Sequence, residues 1–296
     1  MTSAPDLSNL PAPEALTVQD YEQALAELLT TLRSKSLDYD NLLESDPAYA
    51  ITEVMAYFDL VLTQRYNDKV KSLFLAFAEK GELDHIAATY YHLARPVIVP
   101  ANPTGNPPTE AVLMGDDEFR ALCQLAPEGY SVAGPKGAYQ FLALKAEPTL
   151  KGVGVSRPFP GRVLVSLLNR QGNGVATALQ ISAVNAALND ETIRPLNDEV
   201  VVQSATITSY VFSATLFIPE GPSPDLLLGQ ANEAAVTLTQ RLHQVGKGVP
   251  LSALTSAVHV SGVERVQVNS PSADIPKQET VAPFCTQINL TWEAAE

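Results

Sequence analysis

Four histidines, His85, His92, His243 and His259, are the side chains best suited to metal or acid–base work, and their spacing favours neither. His85 and His92 fall in one predicted helix, where a separation of seven lets them share a face. No carboxylate at ligand spacing completes a metal site beside them. They read as surface or capping histidines. The glycine-rich pieces fail in a similar way. Gly152-Val153-Gly154-Val155 lacks the third glycine and the helix start of a dinucleotide fingerprint, and Gly246-Lys247-Gly248 lacks the upstream spacing of a phosphate loop. Gly134-Pro135-Lys136-Gly137 would put a lysine at a helix start, where an anion could bind, but it reads better as a turn. No Gly-x-Ser-x-Gly nucleophile elbow occurs. Asp116-Asp117-Glu118 and Asp190-Glu191 read as helix starts or solvated faces, and nothing has the alternating pattern of a calcium loop. The sequence therefore gives no catalytic, metal or cofactor-binding residue, and no cofactor is expected. A site assembled from distant residues stays open.

Bulk properties narrow the classes further. The 296 residues are 46% hydrophobic and 18% charged, as in globular proteins, and allow two or three compact units. The net charge of −14 opposes a phosphate backbone. No basic stripe with interleaved aromatics offers a single-strand groove, so no direct nucleic-acid contact is expected. Cys123 and Cys285 are too few for a disulfide scaffold and fit a reducing compartment. The first residues lack the basic-then-apolar order of a signal peptide. No apolar run reaches the roughly 20 residues that span a bilayer, so membrane insertion is not expected.

The elements follow from periodicity and punctuation. Residues 1–16, rich in Pro, Ser and Ala, read as an extended arm. Thr17 to Asp20 resembles a capping box with Thr17 as N-cap, opening a helix whose face carries Tyr21, Leu25, Leu28, Leu29 and Leu32. Asp46 and Pro47 open the most emphatic helix. Its apolar positions run in threes and fours from Ile51 to Phe77, and Gly81 is expected to stop it. Unbroken, it would be about 50 Å long. An amphipathic helix must bury its stripe, either on the chain's own later domains or in a bundle with other chains. Glu82–Leu93 reads as a shorter helix. The prolines of Pro96–Thr109 mark a linker or a strand pair followed by a loop. Asp116 opens a short helix through Phe119, Leu122 and Leu125.

Beyond residue 134 the pattern becomes short helices and alternating strands. Pro135–Ala146 reads as a helix with Gly134 as N-cap, followed by strands at Gly152–Ser156 and Arg162–Leu168. A helix at Thr177–Asn189 and a strand at Glu199–Ile207 complete a first unit. The second has strands at Tyr210–Ile218, Val263–Val268 and Thr286–Trp292, and helices at Asp225–Val245 and after Pro250. Pro135 to Val155 and Pro250 to Val268 share one plan, which reads as a diverged repeat or as coincidence. The expected fold is α+β: helices over 17–95, a linker and short helix over 96–133, and two small sandwich-like α/β domains over 134–208 and 209–296.

The stretch Leu125-Ala126-Pro127-Glu128-Gly129-Tyr130-Ser131-Val132-Ala133-Gly134-Pro135-Lys136-Gly137-Ala138-Tyr139 resembles the signature of the baseplate J-like family, wedge components of contractile phage tails and tail-like bacteriocins. Segments from Leu42-Leu43-Glu44-Ser45-Asp46-Pro47 to Asn269-Ser270-Pro271 follow in the same order. The resemblance implies a structural baseplate protein rather than an enzyme, residing in a virion or tail-like particle and assembled in a bacterial cytoplasm. It implies two copies of the chain joined to one smaller companion tail protein, with further baseplate and hub proteins as neighbours. It also implies a ring of such wedges that holds the tail before contraction. Ile51, Val54, Met55, Phe58, Val61 and Leu62 become the implied bundle positions, and ring contacts fall after about Tyr210. The alternatives are a scaffold or adaptor outside any tail, and an enzyme with a dispersed site. Phage and bacteriocin-like particle are not distinguished.

Overall fold

The computed structural model describes residues 7, 10–11, 13, 20–35, 39, 41–131, 134–191, 193–221 and 223–295. The chain divides into two compact units, one formed by residues 1–95 with 115–123 and the other by 96–114 with 124–296. The first unit is helical. Helix α1 (Tyr21–Arg33) is capped by Asp20, whose carboxylate accepts the Glu22 N–H at 2.9 Å. The expected cap, Thr17, lies outside the described residues. Helix α2 (Pro47–Ser72) has Pro47 in its first turn and Lys69 and Lys71 in its last, which suits the negative end of the helix dipole. Asp46 flanks it without capping through its side chain, because that carboxylate accepts the Leu43 N–H instead.

Helix α2 stops nine residues before Gly81, and at 26 residues it is about 39 Å long rather than 50 Å. The cause lies in a later helix. Arg120 donates to the Leu75 and Ala78 carbonyls at 2.8 and 2.7 Å, and so satisfies acceptors of a tight turn that replaces further helix. Gly81 sits inside α3 (Lys80–Ile86), which runs into one π-helical turn, Ala87–Tyr91, closed by His92 in the left-handed conformation. Arg120 belongs to α4 (Asp116–Leu125). A second arginine pins the start of α4. Arg95 pairs with Asp84 at 2.6 Å and Asp116 at 2.7 Å, and stacks 4.8 Å over the Phe119 ring. Phe119 and Cys123 are fully buried.

The second unit begins with a ribbon, β1 (Val97–Val99) antiparallel to β2 (Val112–Leu113), so the proline-rich stretch is a strand pair with a loop. After a 3-10 turn at Ala126–Tyr130 come α5 (Lys136–Ala146), β3 (Leu150–Phe159), β4 (Arg162–Asn169), α6 (Ala178–Leu188) and β5 (Glu199–Ser204). The sheet order is β3-β4-β5, with β3 antiparallel and β5 parallel to the central strand. Tyr139 and Ala143 of α5 and Val184 and Leu188 of α6 pack on Val153, Val155, Val165 and Leu167. Thr177 and Gln180 form a reciprocal capping box at α6.

The chain crosses to the next sheet at Ala205, whose N–H bonds to Leu167 O while the Thr206 N–H bonds to Thr280 O. The second sheet uses β6 (Thr206–Ile218) as its centre, β7 (Arg265–Ser270) antiparallel and β8 (Val281–Ala294) parallel to it. Helices α7 (Pro224–Leu242) and α8 (Leu251–Val258) bury Leu227, Ala231, Ala235, Leu238 and Leu254 against Phe212, Ala214 and Leu216. Both sheets therefore place an antiparallel edge, a centre and a parallel edge under helices, in a shifted chain order. The fold is α+β.

The stretch from Leu125 to Tyr139 is a packing device. A Cβ at Gly129 would overlap the Phe141 ring, and one at Gly137 would lie 2.7 Å from the Glu128 side chain. Gly134 has φ +67°, which costs a glycine nothing. Its neighbour Pro135, not Gly134, is the N-cap, one residue later than expected. The Tyr139 hydroxyl donates to Asp198 at 2.6 Å, and burial followed by that carboxylate raises its pKa above the ordinary value. Val132 and Ala133 lie outside the described residues.

Candidate interaction surface

Helix α2 packs with its poorer face. Each residue turns the helix by about 100°, so Thr52, Ala56 and Asn67 fall within about 60° of one another. These are the buried positions of α2. Ala56 meets Ala24, Leu25 and Leu29 of α1, with Tyr21, Leu28 and Tyr49 around them. A small residue lets the two backbones approach, and Thr52 satisfies its own hydroxyl on Ala48 O at 2.8 Å.

The opposite face carries the large apolar side chains. Phe58 lies two residues past Ala56, about 200° round the helix, and is 57% exposed. Ile51, Val54, Met55 and Leu62 are exposed beside it at 62, 68, 55 and 45%. Val61 is half-buried at the margin. The six positions read from periodicity thus form one stripe, five of them open. Tyr57, Tyr66 and Leu73 extend it. Leu28 of α1 joins Val54, Met55, Phe58, Asp59 and Leu62 around a shallow groove of about 440 Å³. Periodicity along α2 could not find Leu28, which arrives from another helix. The apolar period of α2 was legible, but its direction was set by the small residues that α1 selected.

Of the residues considered for chemistry, Lys136 and His243 have structural partners. Lys136 pairs with Glu279 at 3.0 Å. His243 is buried, its Nδ1–H donates to Pro283 O at 2.7 Å, and its ring meets Phe284 edge-on at 5.2 Å. Burial holds its pKa below the ordinary value, and nearby Lys151 adds to the effect. Burial pushes the Cys123 thiol up to about 11. Among the described residues, no three His, Cys, Asp or Glu side chains gather as a metal site would need. No helix among them is long and apolar enough to cross a membrane.

The chain matches the family model of the baseplate J-like N-terminal domain over residues 44–102, which takes in the whole of α2 and its stripe. The baseplate J-like central domain matches residues 131–204, from the turn before α5 to the end of β5. Baseplate protein J of Escherichia phage P2 is 38% identical over 292 residues, covering 96% of this chain and 96% of the relative. The chain belongs to the baseplate J-like family. The stripe on α2 thereby falls inside the N-terminal family domain, and the second sheet, from β6 onward, lies beyond both family-model matches.

Proposed function

We propose that this protein is a structural component of a phage-type tail baseplate and that the open face of α2 joins it to other chains of a wedge. Family membership supports the first part and a place in the tail. The second rests on one observation: α2 turns Ile51, Val54, Met55, Phe58 and Leu62 to solvent while packing through Ala56. Water disfavours such a stripe by about 25 cal/mol for each Å² left exposed. Helical partners relieve that cost, and the groove edged by Leu28 gives a helix a seat. In the wedge reading the partners are a second copy of this chain and one smaller companion tail protein. The assembled wedges surround the hub and hold the sheath until contraction, and the protein acts through contacts rather than catalysis.

Complementation of a tail-producing host that lacks this gene tests the proposal. A Phe58→Asp chain should accumulate in folded form, because the site is open in the free protein, yet yield no complete tails. An unpaired carboxylate inside a bundle is expensive. Normal tails from that variant would overturn the assignment of α2.

A further inference from the structure

Gly154 of β3 and Gly174 of the turn after β4 make room for one short segment that follows α7. A Cβ at Gly154 would overlap the Val245 side chain, and one at Gly174 would lie 2.9 Å from Nε2 of His243. His243 and Val245 thus reach from the second sheet's helix into the first sheet. Each sheet has its own core under its own helices. The apolar contact that joins them is thin by comparison: Leu168, Ala205 and Ala282 are buried in it, with Ile207 and Val245 beside them. Across the same joint Lys151 donates to Gln240 O at 3.2 Å and Lys136 pairs with Glu279 at 3.0 Å. His243 is the ionisable ring sealed inside, at 7% exposure. Pro283 O can only accept, so Nδ1 carries the proton and Nε2 is the nitrogen that takes a second one. Nε2 lies against the Gly174 turn, whose Gly174 carbonyl is already taken by the Asn169 N–H at 2.8 Å. Among the described residues, nothing accepts from Nε2. The charged side chain that bears on the ring is Lys151, from β3, and it is a cation. Arg170, in the turn after β4, reaches Leu150 O at 3.1 Å instead. From β8 the ring meets Pro283 and Phe284, which are neutral. Arg241 and Lys247, on its own segment, are exposed.

We propose that this joint is an acid-released hinge: a second proton on His243 parts the end of α7 from the first sheet, and the two α/β domains turn about Ala205 while each stays folded. A doubly protonated ring in the closed joint is a buried cation beside Lys151 with no acceptor for its new N–H, which is costly. Water satisfies both groups once the joint opens. The open form therefore takes the proton near the ordinary histidine pKa of about 6.5, and the closed form takes it only at lower pH. The closed joint is thus favoured above about pH 6.5 and loses that advantage as pH falls. Between about pH 7.5 and 5.5 the opening constant should rise by up to about tenfold. A joint this thin can open without unfolding either core. Ala205 is the pivot because its N–H is held by Leu167 O of the first sheet while the Thr206 N–H is held by Thr280 O beside the second. The inference concerns two domains of one chain and requires nothing of the α2 stripe.

The test reads opening of the joint as thiol exposure in the full chain. Ala282 is fully buried in the joint, and Ala235 is fully buried in the core of the second sheet. Ala282→Cys and Ala235→Cys chains are treated with an aromatic disulfide reagent that reacts in acid, and labelling at each position is followed by peptide mass spectrometry. Each rate is divided by that of the unfolded chain at the same pH, which cancels the change in thiolate fraction. From about pH 7.5 to 5.5 the ratio at position 282 should rise by up to about tenfold, and that at position 235 by less than about twofold. His243→Gln, which keeps a donor for Pro283 O but does not titrate, should abolish the rise. Should that variant misfold, Lys151→Gln serves: it frees Gln240 O and removes the neighbouring cation, so the joint should open more at neutral pH and respond less to acid. Ala205→Cys reports on the same joint should Ala282→Cys perturb the strand. An unchanged ratio at position 282, a rise that survives His243→Gln, or an equal rise at position 235 would each overturn the inference.

Discussion

If the open face of α2 joins other chains as proposed, truncating Phe58 to alanine should weaken that assembly by an amount that its exposure fixes. The ring is 57% exposed in the chain, and a phenylalanine can bury about 150–250 Å². About 85–140 Å² therefore remains to be covered by a partner, worth about 2–3.5 kcal/mol at about 25 cal/mol per Å². Affinity should fall by about 30- to 300-fold at each contact. The free chain should lose little, because less than half of the ring is buried before assembly. Titration calorimetry with the companion tail protein measures the first quantity, and thermal unfolding of the chain alone measures the second. Leu179→Ala is the control, since that residue is 83% exposed on α6 and lies outside the stripe. A Phe58→Ala chain that binds within about threefold of the original would refute the bundle assignment. So would a Leu179→Ala chain weakened as much as Phe58→Ala, because general loss of apolar surface would then explain both.

Other consequences follow from buried groups. Arg120→Ala strips the donors from Leu75 O and Ala78 O and should destabilise the helical unit by about 2–3 kcal/mol, read as a lower denaturant midpoint. Gly129→Ala forces a methyl into the Phe141 ring and should cost about 1–3 kcal/mol by the same measure. His243 has a folded-state pKa below its unfolded value near 6.5. The unfolded chain therefore binds the proton first as pH falls, so stability present at neutral pH should decline below about 6.5. A His243→Phe chain should lose that pH dependence in parallel melts. Cys123, fully buried with its thiol pKa near 11, should resist a thiol reagent at pH 7.5 until the chain is unfolded.

Local chemistry was read well where it decides the structure locally. Pro47 announced α2, and valines two apart announced β3 and β7. Misplaced boundaries trace to distant residues. Nothing near Ser72 says that α2 must stop there, because Arg120 supplies the reason. Gly81 looked like a stop, but the turn before it was already fixed, and it was left inside α3. Pro135 took the cap because its backbone is extended, as an N-cap requires, whereas Gly134 is left-handed. The α2 stripe was visible as a period of three and four. Its outward orientation became visible only once Thr52, Ala56 and Asn67 were seen to be the packed face.

The most direct test of the assembly reading is the native mass of this chain co-expressed with the smaller companion tail protein that the proposal assigns to it. A complex of two copies with one companion, dissociated by Phe58→Asp, is the predicted result. A chain that remains monomeric beside its companion, with the stripe of α2 still in water, would contradict it.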